Sequence, residues 1–113
     1  MQDKRMSLKE AVSQFVTDGC SIAVSSVGAR EPLAAINEIV RQKKKDMTLI
    51  ADSHTNSGER LIAGGCLSRV EFAYLWMGVM IGWNWRRAVE KGIPNVLELE
   101  EYSKLIMPLA QNR

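Results

Sequence analysis

Three loops hold or adjoin the residues with the widest chemical repertoire. The first, Ser25-Ser26-Val27-Gly28-Ala29-Arg30-Glu31-Pro32, joins an apolar run to a helical pattern through small residues. The loop's backbone N–H groups can therefore meet an anion at a helix N-terminus. The loop lacks both the Gly-Lys-Ser/Thr ending of a Walker A motif and G-x-G-x-x-G spacing, so read alone it is first a tight structural turn. The second loop, Asp52 to Gly58, carries the only histidine, His54, beside Ser53, Thr55 and Ser57. A general base is one reading, but nothing else supplies a triad, and loop hydrogen bonding is favoured. The third loop, Trp76 to Asn84, is punctuated by glycines, and Arg86 and Arg87 fall one turn into the helix that follows it. Either guanidinium can pair with a carboxylate or phosphate, or both are solvated helix charges. Glu59, Glu71 and Glu90 are scattered and offer no acid–base pair. Cys20 and Cys66 lack C-x-x-C or histidine spacing, so no metal site is expected and both read as free thiols.

Those loops need elements to aim them. Ser7 and Glu10 make an S-x-x-E capping box before Ala11, Val12, Phe15 and Val16, and Gly19 marks the end of that helix. Ser21 to Ser26 reads as a short strand. A second helix is expected over Glu31 to Gln42, with Pro32 in its first turn and Leu33, Ile36, Ile39 and Val40 on one face. Met47 to Ala51 is a second strand, Gly58 to Ala63 a short helix stopped by Gly64-Gly65, and Val70 to Trp76 a third strand. Asn84 can cap a helix that ends at Gly92, Val96 to Leu99 is a fourth strand, and Glu100 to Leu109 a last helix. Trp76, Trp83 and Trp85, with Met77 and Met80, fit a core strand plus a protein interface better than a cofactor box.

Repeated β-loop-α units of about 25 residues predict a single α/β domain: an open, mainly parallel sheet with helices on both faces. In such sheets ligands sit at the carboxyl ends of the strands, near a switch in strand order, which selects the three loops above. The 113 residues contain 46% apolar and 25% charged residues, an ordinary folded composition. Fifteen Lys and Arg against thirteen Asp and Glu leave +2, too little for a nucleic-acid footprint. The longest uncharged stretch, Phe72 to Trp85, has fourteen residues, whereas a membrane span needs about 20. With no signal-peptide pattern at the start, a cytoplasmic protein is expected.

Taken together, the stretches resemble the amino-terminal half of the α subunit of the family I coenzyme A transferases, most closely the glutaconate CoA-transferase type. The resemblance lies in Ser7 to Val12, Val16-Thr17-Asp18-Gly19-Cys20-Ser21-Ile22-Ala23-Val24, Arg30-Glu31-Pro32-Leu33-Ala34-Ala35, Lys45-Asp46-Met47-Thr48-Leu49-Ile50, and Trp85 to Gly92 with Leu99-Glu100-Glu101-Tyr102-Ser103. It implies an open α/β fold and a reaction that passes CoA from a thioester to a carboxylic acid, with acyl-CoA as substrate and no separate cofactor. In the family, a glutamate of the β subunit within Ser-Glu-Asn-Gly forms a γ-glutamyl-CoA thioester, which splits one acyl transfer into easier steps. This chain has no Ser-Glu-Asn-Gly. The resemblance therefore implies that a partner β subunit supplies that glutamate, and it assigns no catalytic residue to this chain.

Ser26, Gly28, Ser53 and Ser57 would line the acyl or carboxylate pocket, with Arg86 available for anion pairing. Ser25-Ser26 stands where the family's strand-ending loop has paired glycines. Family α subunits are more than twice as long, so the chain is expected to be the amino-terminal part of a longer subunit. Two rivals stand beside the transferase reading: a hydrolase that opens cyclic acyl-CoA rings on the same fold, and a non-catalytic interaction module using the Trp-rich stretch.

Overall fold

The structure is a computed structural model and describes residues 2–24, 31–75 and 82–98. They form α1 (Leu8–Phe15), β1 (Ser21–Val24), α2 (Leu33–Arg41), β2 (Met47–His54), α3 (Asn56–Ala63), β3 (Leu67–Leu75), α4 (Trp83–Lys91) and β4 (Asn95–Glu98). All three strand pairings are parallel, in the order β1-β2-β3-β4. The expected open parallel α/β sheet is what forms, but the described helices share one face of it rather than lying on both. Its order advances in one direction, so no reversal of strand order occurs among the described strands, contrary to the expected switch point.

Right-handed crossovers in a steadily advancing sheet put their helices on one face. Accordingly α2, α3 and α4 lie side by side, with α1 against α2. The core fills the space between: Val12, Ile36, Ile39 and Leu61 from the helices meet Leu49, Ala51, Val70 and Phe72 from alternate positions of β2 and β3. The opposite face of the central strands is also covered. Ile50 and Glu71 face each other in register and are buried, with Glu71 Oε1 accepting from Arg69 Nε at 2.9 Å. The near-continuous apolar run of β2 thus answers to burial on two sides. The last helix expected at Glu100 to Leu109 lies outside the described residues.

Several element ends differ from the sequence expectation, each for a visible reason. The capping box holds: Glu10 N–H donates to Ser7 Oγ at 3.2 Å and Ser7 N–H to Glu10 Oε2 at 2.9 Å. Helix α1 stops at Phe15, however, and Gly19 belongs to the following turn, where its N–H bonds Lys45 C=O. Helix α2 starts at Leu33 with Pro32 as its N-cap, which leaves Glu31 outside the helix and able to reach elsewhere. Strand β3 begins at Leu67, three residues early, because a register shift beside Met47 lets both Met47 and Leu67 enter the core. Helix α4 ends as expected at Gly92, whose φ of 67° is the left-handed cap that glycine tolerates.

Candidate functional site

The carboxyl ends of the strands bring together the start of α2, the β2–α3 junction and the start of α4. Of the predicted pocket residues, Ser26 and Gly28 lie outside the described residues, as do 76–81 of the third loop. Strand β2 runs further than expected, to His54, and the side chain of His54 is outside the described set. Alternation along β2 puts Ser53 on the helix-facing side after Leu49 and Ala51, and it is buried there at the carboxyl end.

Ser57 is buried too, and its hydrogen bonds are committed. Its N–H donates to Glu31 Oε2 at 2.8 Å and its hydroxyl to the same oxygen at 2.7 Å, while Asn56 Nδ2 lies 3.4 Å from Glu31 Oε1. Helix α3 consequently starts at Asn56, two residues before the Gly58 expected from sequence, because an acceptor twenty-six positions upstream serves its first turn. Burial pushes the Glu31 carboxyl up, but the Ser57 hydroxyl and N–H, with lesser help from Thr55 and Asn56, outweigh it and hold the group below its ordinary value. Thr55 Oγ1 is buried without a hydrogen bond of good geometry, so Ser57 is the partner that sets the carboxylate.

A second carboxylate does similar work at α4. Asn84 N–H donates to Glu59 Oε2 at 3.0 Å and Trp85 N–H to Glu59 Oε1 at 2.8 Å. Asn84, the expected cap of this helix, is instead inside its first turn; Gly82 is the N-cap, and the capping oxygen atoms come from α3. A Cβ on Gly82 would lie 2.8 Å from Glu59 Cδ, so the junction is closed around that carboxylate. Trp85 then turns its ring onto the core, edge-on to Phe72 with centroids 6.1 Å apart, whereas Trp83 is 65% exposed. Of the Trp-rich stretch read as core plus interface, Trp76 lies outside the described residues.

Arg86 Nε donates to Glu90 Oε1 at 2.9 Å in an exposed i,i+4 pair. The sheet end thus gathers Ser53, Thr55, Ser57, Glu31, Glu59 and Gly82, and Arg86 stands apart on the helix surface. Sequence reading missed Glu31 and Glu59 as parts of this cluster. Among the described residues no His, Cys, Asp and Glu group is arranged to hold a metal, and no helix is long and apolar enough to cross a membrane. Cys20 and Cys66 are free, with burial raising the Cys66 thiol.

The coenzyme A transferase family profile matches residues 5–107. The chain belongs to the coenzyme A transferase family. Over 99 residues it is 39% identical to the A-subunit of 3-oxoadipate CoA-transferase from Pseudomonas knackmussii, covering 87% of this chain and 35% of that protein. Among solved structures it resembles glutaconate coenzyme A-transferase of Acidaminococcus fermentans, with a TM-score of 0.84 and 25% identity, covering 93% of this chain and 34% of that one. A variant of the decarboxylase AibA/AibB aligns with a TM-score of 0.71 and 31% identity, covering 84% of this chain and 37% of that one. This CoA-transferase chain spans about a third of the length of these relatives. Its likeness is to α-type subunits, as the sequence resemblance implied.

Proposed function

We propose that the chain forms the amino-terminal part of the α subunit of an enzyme that moves CoA between an acyl-CoA and a carboxylic acid, with the catalytic glutamate on a partner β subunit. The observation that carries this reading is the match to the CoA-transferase family along residues 5–107, together with the likeness to the A-subunit of a known transferase. In this reading the CoA thioester is substrate and no resident cofactor takes part. The enzyme works in the cytoplasm, which suits two unpaired cysteines.

The partner's glutamate attacks the thioester carbonyl, forming an acyl-glutamyl anhydride and expelling CoA thiolate, which attacks the glutamyl carbonyl to give the γ-glutamyl-CoA thioester and release the first acid; the incoming acid takes the CoA by the reverse pair of steps and frees the glutamate. This chain supplies the wall against which the acyl group is oriented. Ser26 and Gly28 offer N–H groups for a carbonyl or carboxylate oxygen, and Ser53 adds a buried surface at the end of β2. Ser57 contributes through its hold on Glu31, and Arg86, whose Nε holds Glu90, meets an anion through its terminal N–H groups.

Co-expression with the β chain and assay of CoA exchange between acids tests the reading. Exchange with at least one acid is expected; a stable complex that exchanges CoA with none would overturn it. Ser26→Trp should abolish acyl-CoA binding while the chain still folds. A second reading, in which this fold runs a reaction other than transfer, is favoured by the 31% identity to a decarboxylase. Mass spectrometry of the partner after acyl-CoA addition separates the two: a CoA adduct on a glutamate marks transfer, and turnover without an adduct marks the second.

A further inference from the structure

Glu31 and Glu59, one βα unit apart, play the same part near two successive helix starts. Glu31 precedes α2 and binds the first turn of α3; Glu59 belongs to α3 and binds the first turn of α4. Neither Thr55 nor Gly82, the N-caps of α3 and α4, makes a side-chain cap of its own. A negative carboxylate facing the orphan N–H groups of a helix start satisfies donors and complements the helix dipole at once. Because Glu59 is carried on α3, whatever fixes the start of α3 also fixes the capping group of α4. The absence of a side chain at Gly82 permits the close approach that makes this second cap.

We propose that Glu31 and Glu59 are coupled positioning residues, a relay that holds the starts of α2, α3 and α4 in one register at the carboxyl end of the sheet and so sets the shape of the acyl site. The catalytic consequence rests on the transferase reading; the mechanical coupling does not. Neither glutamate is assigned contact with substrate. Their carboxylates are already engaged by backbone N–H groups, which leaves an anionic substrate to be met by other donors. A change at Glu31 acts on α4 across the whole width of α3, a distance at which independent caps would be additive.

The test uses the full chain in complex with its β partner, as wild type, Glu31→Gln, Glu59→Gln and the double variant. At Glu59 the amide accepts from one N–H and turns its own N–H₂ toward the other; at Glu31 it keeps an acceptor for Ser57 but loses the negative charge and turns its N–H₂ toward Asn56 Nδ2, so each variant weakens its cap without a large volume change. In Glu31→Gln, faster hydrogen exchange is expected at the amides of Asn84 and Trp85 as well as at Ser57. Turnover should fall about tenfold with KM changed less than about twofold, and the double variant should lie within about twofold of the worse single one. Val12→Ala, which loosens the core beneath α1, controls for stability and should lower Tm while keeping kcat. Unchanged exchange at Asn84 and Trp85 in Glu31→Gln, or losses that multiply in the double variant, would overturn the relay. So would an equal kcat loss in Val12→Ala. If wild-type complex exchanges no CoA, the proposed function has failed, and amide exchange alone decides the relay.

Discussion

Gly82→Ala sets two physical effects of opposite sign against each other. The backbone at Gly82 (φ −64°, ψ 111°) suits alanine, so loss of glycine's freedom in the unfolded chain alone would stabilise the protein by about 0.4–1 kcal/mol. The new Cβ, however, would sit 2.8 Å from Glu59 Cδ and 3.4 Å from Cγ, and closer still to Oε1. The carboxylate must move, and with it go the bonds from Asn84 and Trp85 N–H. Hydrogen bonds to a charged group are worth about 1.5–3 kcal/mol each, and water at a half-exposed helix start restores part of that. A net loss of about 1–3 kcal/mol is expected after the backbone gain is subtracted. Urea unfolding followed by far-UV circular dichroism measures it, in wild type and in a Glu59→Ala background. With Glu59 truncated the obstacle is gone, and only the backbone gain is left, so Gly82→Ala should stabilise by about 0.4–1 kcal/mol in that background. Equal destabilisation in both backgrounds, or a Gly82→Ala chain at least as stable as wild type, would show that the carboxylate does not close this junction.

Three further outcomes are expected. The Glu31 carboxyl sits below its ordinary value of 4.5 in the folded chain, so the unfolded chain takes up the proton first as pH falls; the stability Glu31 adds is present above about pH 4.5 and lost below it. Urea midpoints of wild type and Glu31→Gln should accordingly differ most near neutrality and converge in acid. Leu61→Ala removes a side chain with no exposed surface from the contact of α3 with the sheet; chemical unfolding should show a loss of about 2–5 kcal/mol. Arg86→Ala breaks only an exposed pair with Glu90, so stability should change by no more than about 0.5 kcal/mol, and a rise in KM for acyl-CoA would place that guanidinium on the substrate.

How much of this is legible in the sequence follows from the range of the interactions. Features set within a few residues can be read directly: the Ser7–Glu10 box, the stop of α4 at Gly92, the apolar run of β2. The sheet and its parallel sense follow from the repeat of such pieces. Strand order does not, because periodicity says which residues are buried and not which strand is the neighbour. Ser53 and Ser57 stand out by type and loop position, and both lie at the carboxyl end of the sheet. Only the structure shows that the Ser57 hydroxyl is spent on Glu31, since a hydroxyl in a polar loop looks the same whether it faces a ligand or a carboxylate. Arg86 stands out by its place in the first turns of a helix, yet i,i+4 spacing to Glu90 already offers it a local partner.

The remote caps leave a trace in the sequence after all. The acceptor and donor of the local cap on α1 are three positions apart, whereas Glu31 reaches Ser57 across 26 positions and Glu59 reaches Asn84 and Trp85 across 25 and 26. Those separations equal the length of about one βα unit. In a sheet whose order advances by one strand per unit, each helix start lies beside the previous one, so a residue near the start of one helix meets the same place on the next after one repeat. A carboxylate recurring near helix starts at the repeat period is therefore the long-range counterpart of S-x-x-E. It forms the same bond to the same orphan N–H groups, with tertiary structure in place of the helical turn to bring donor and acceptor together.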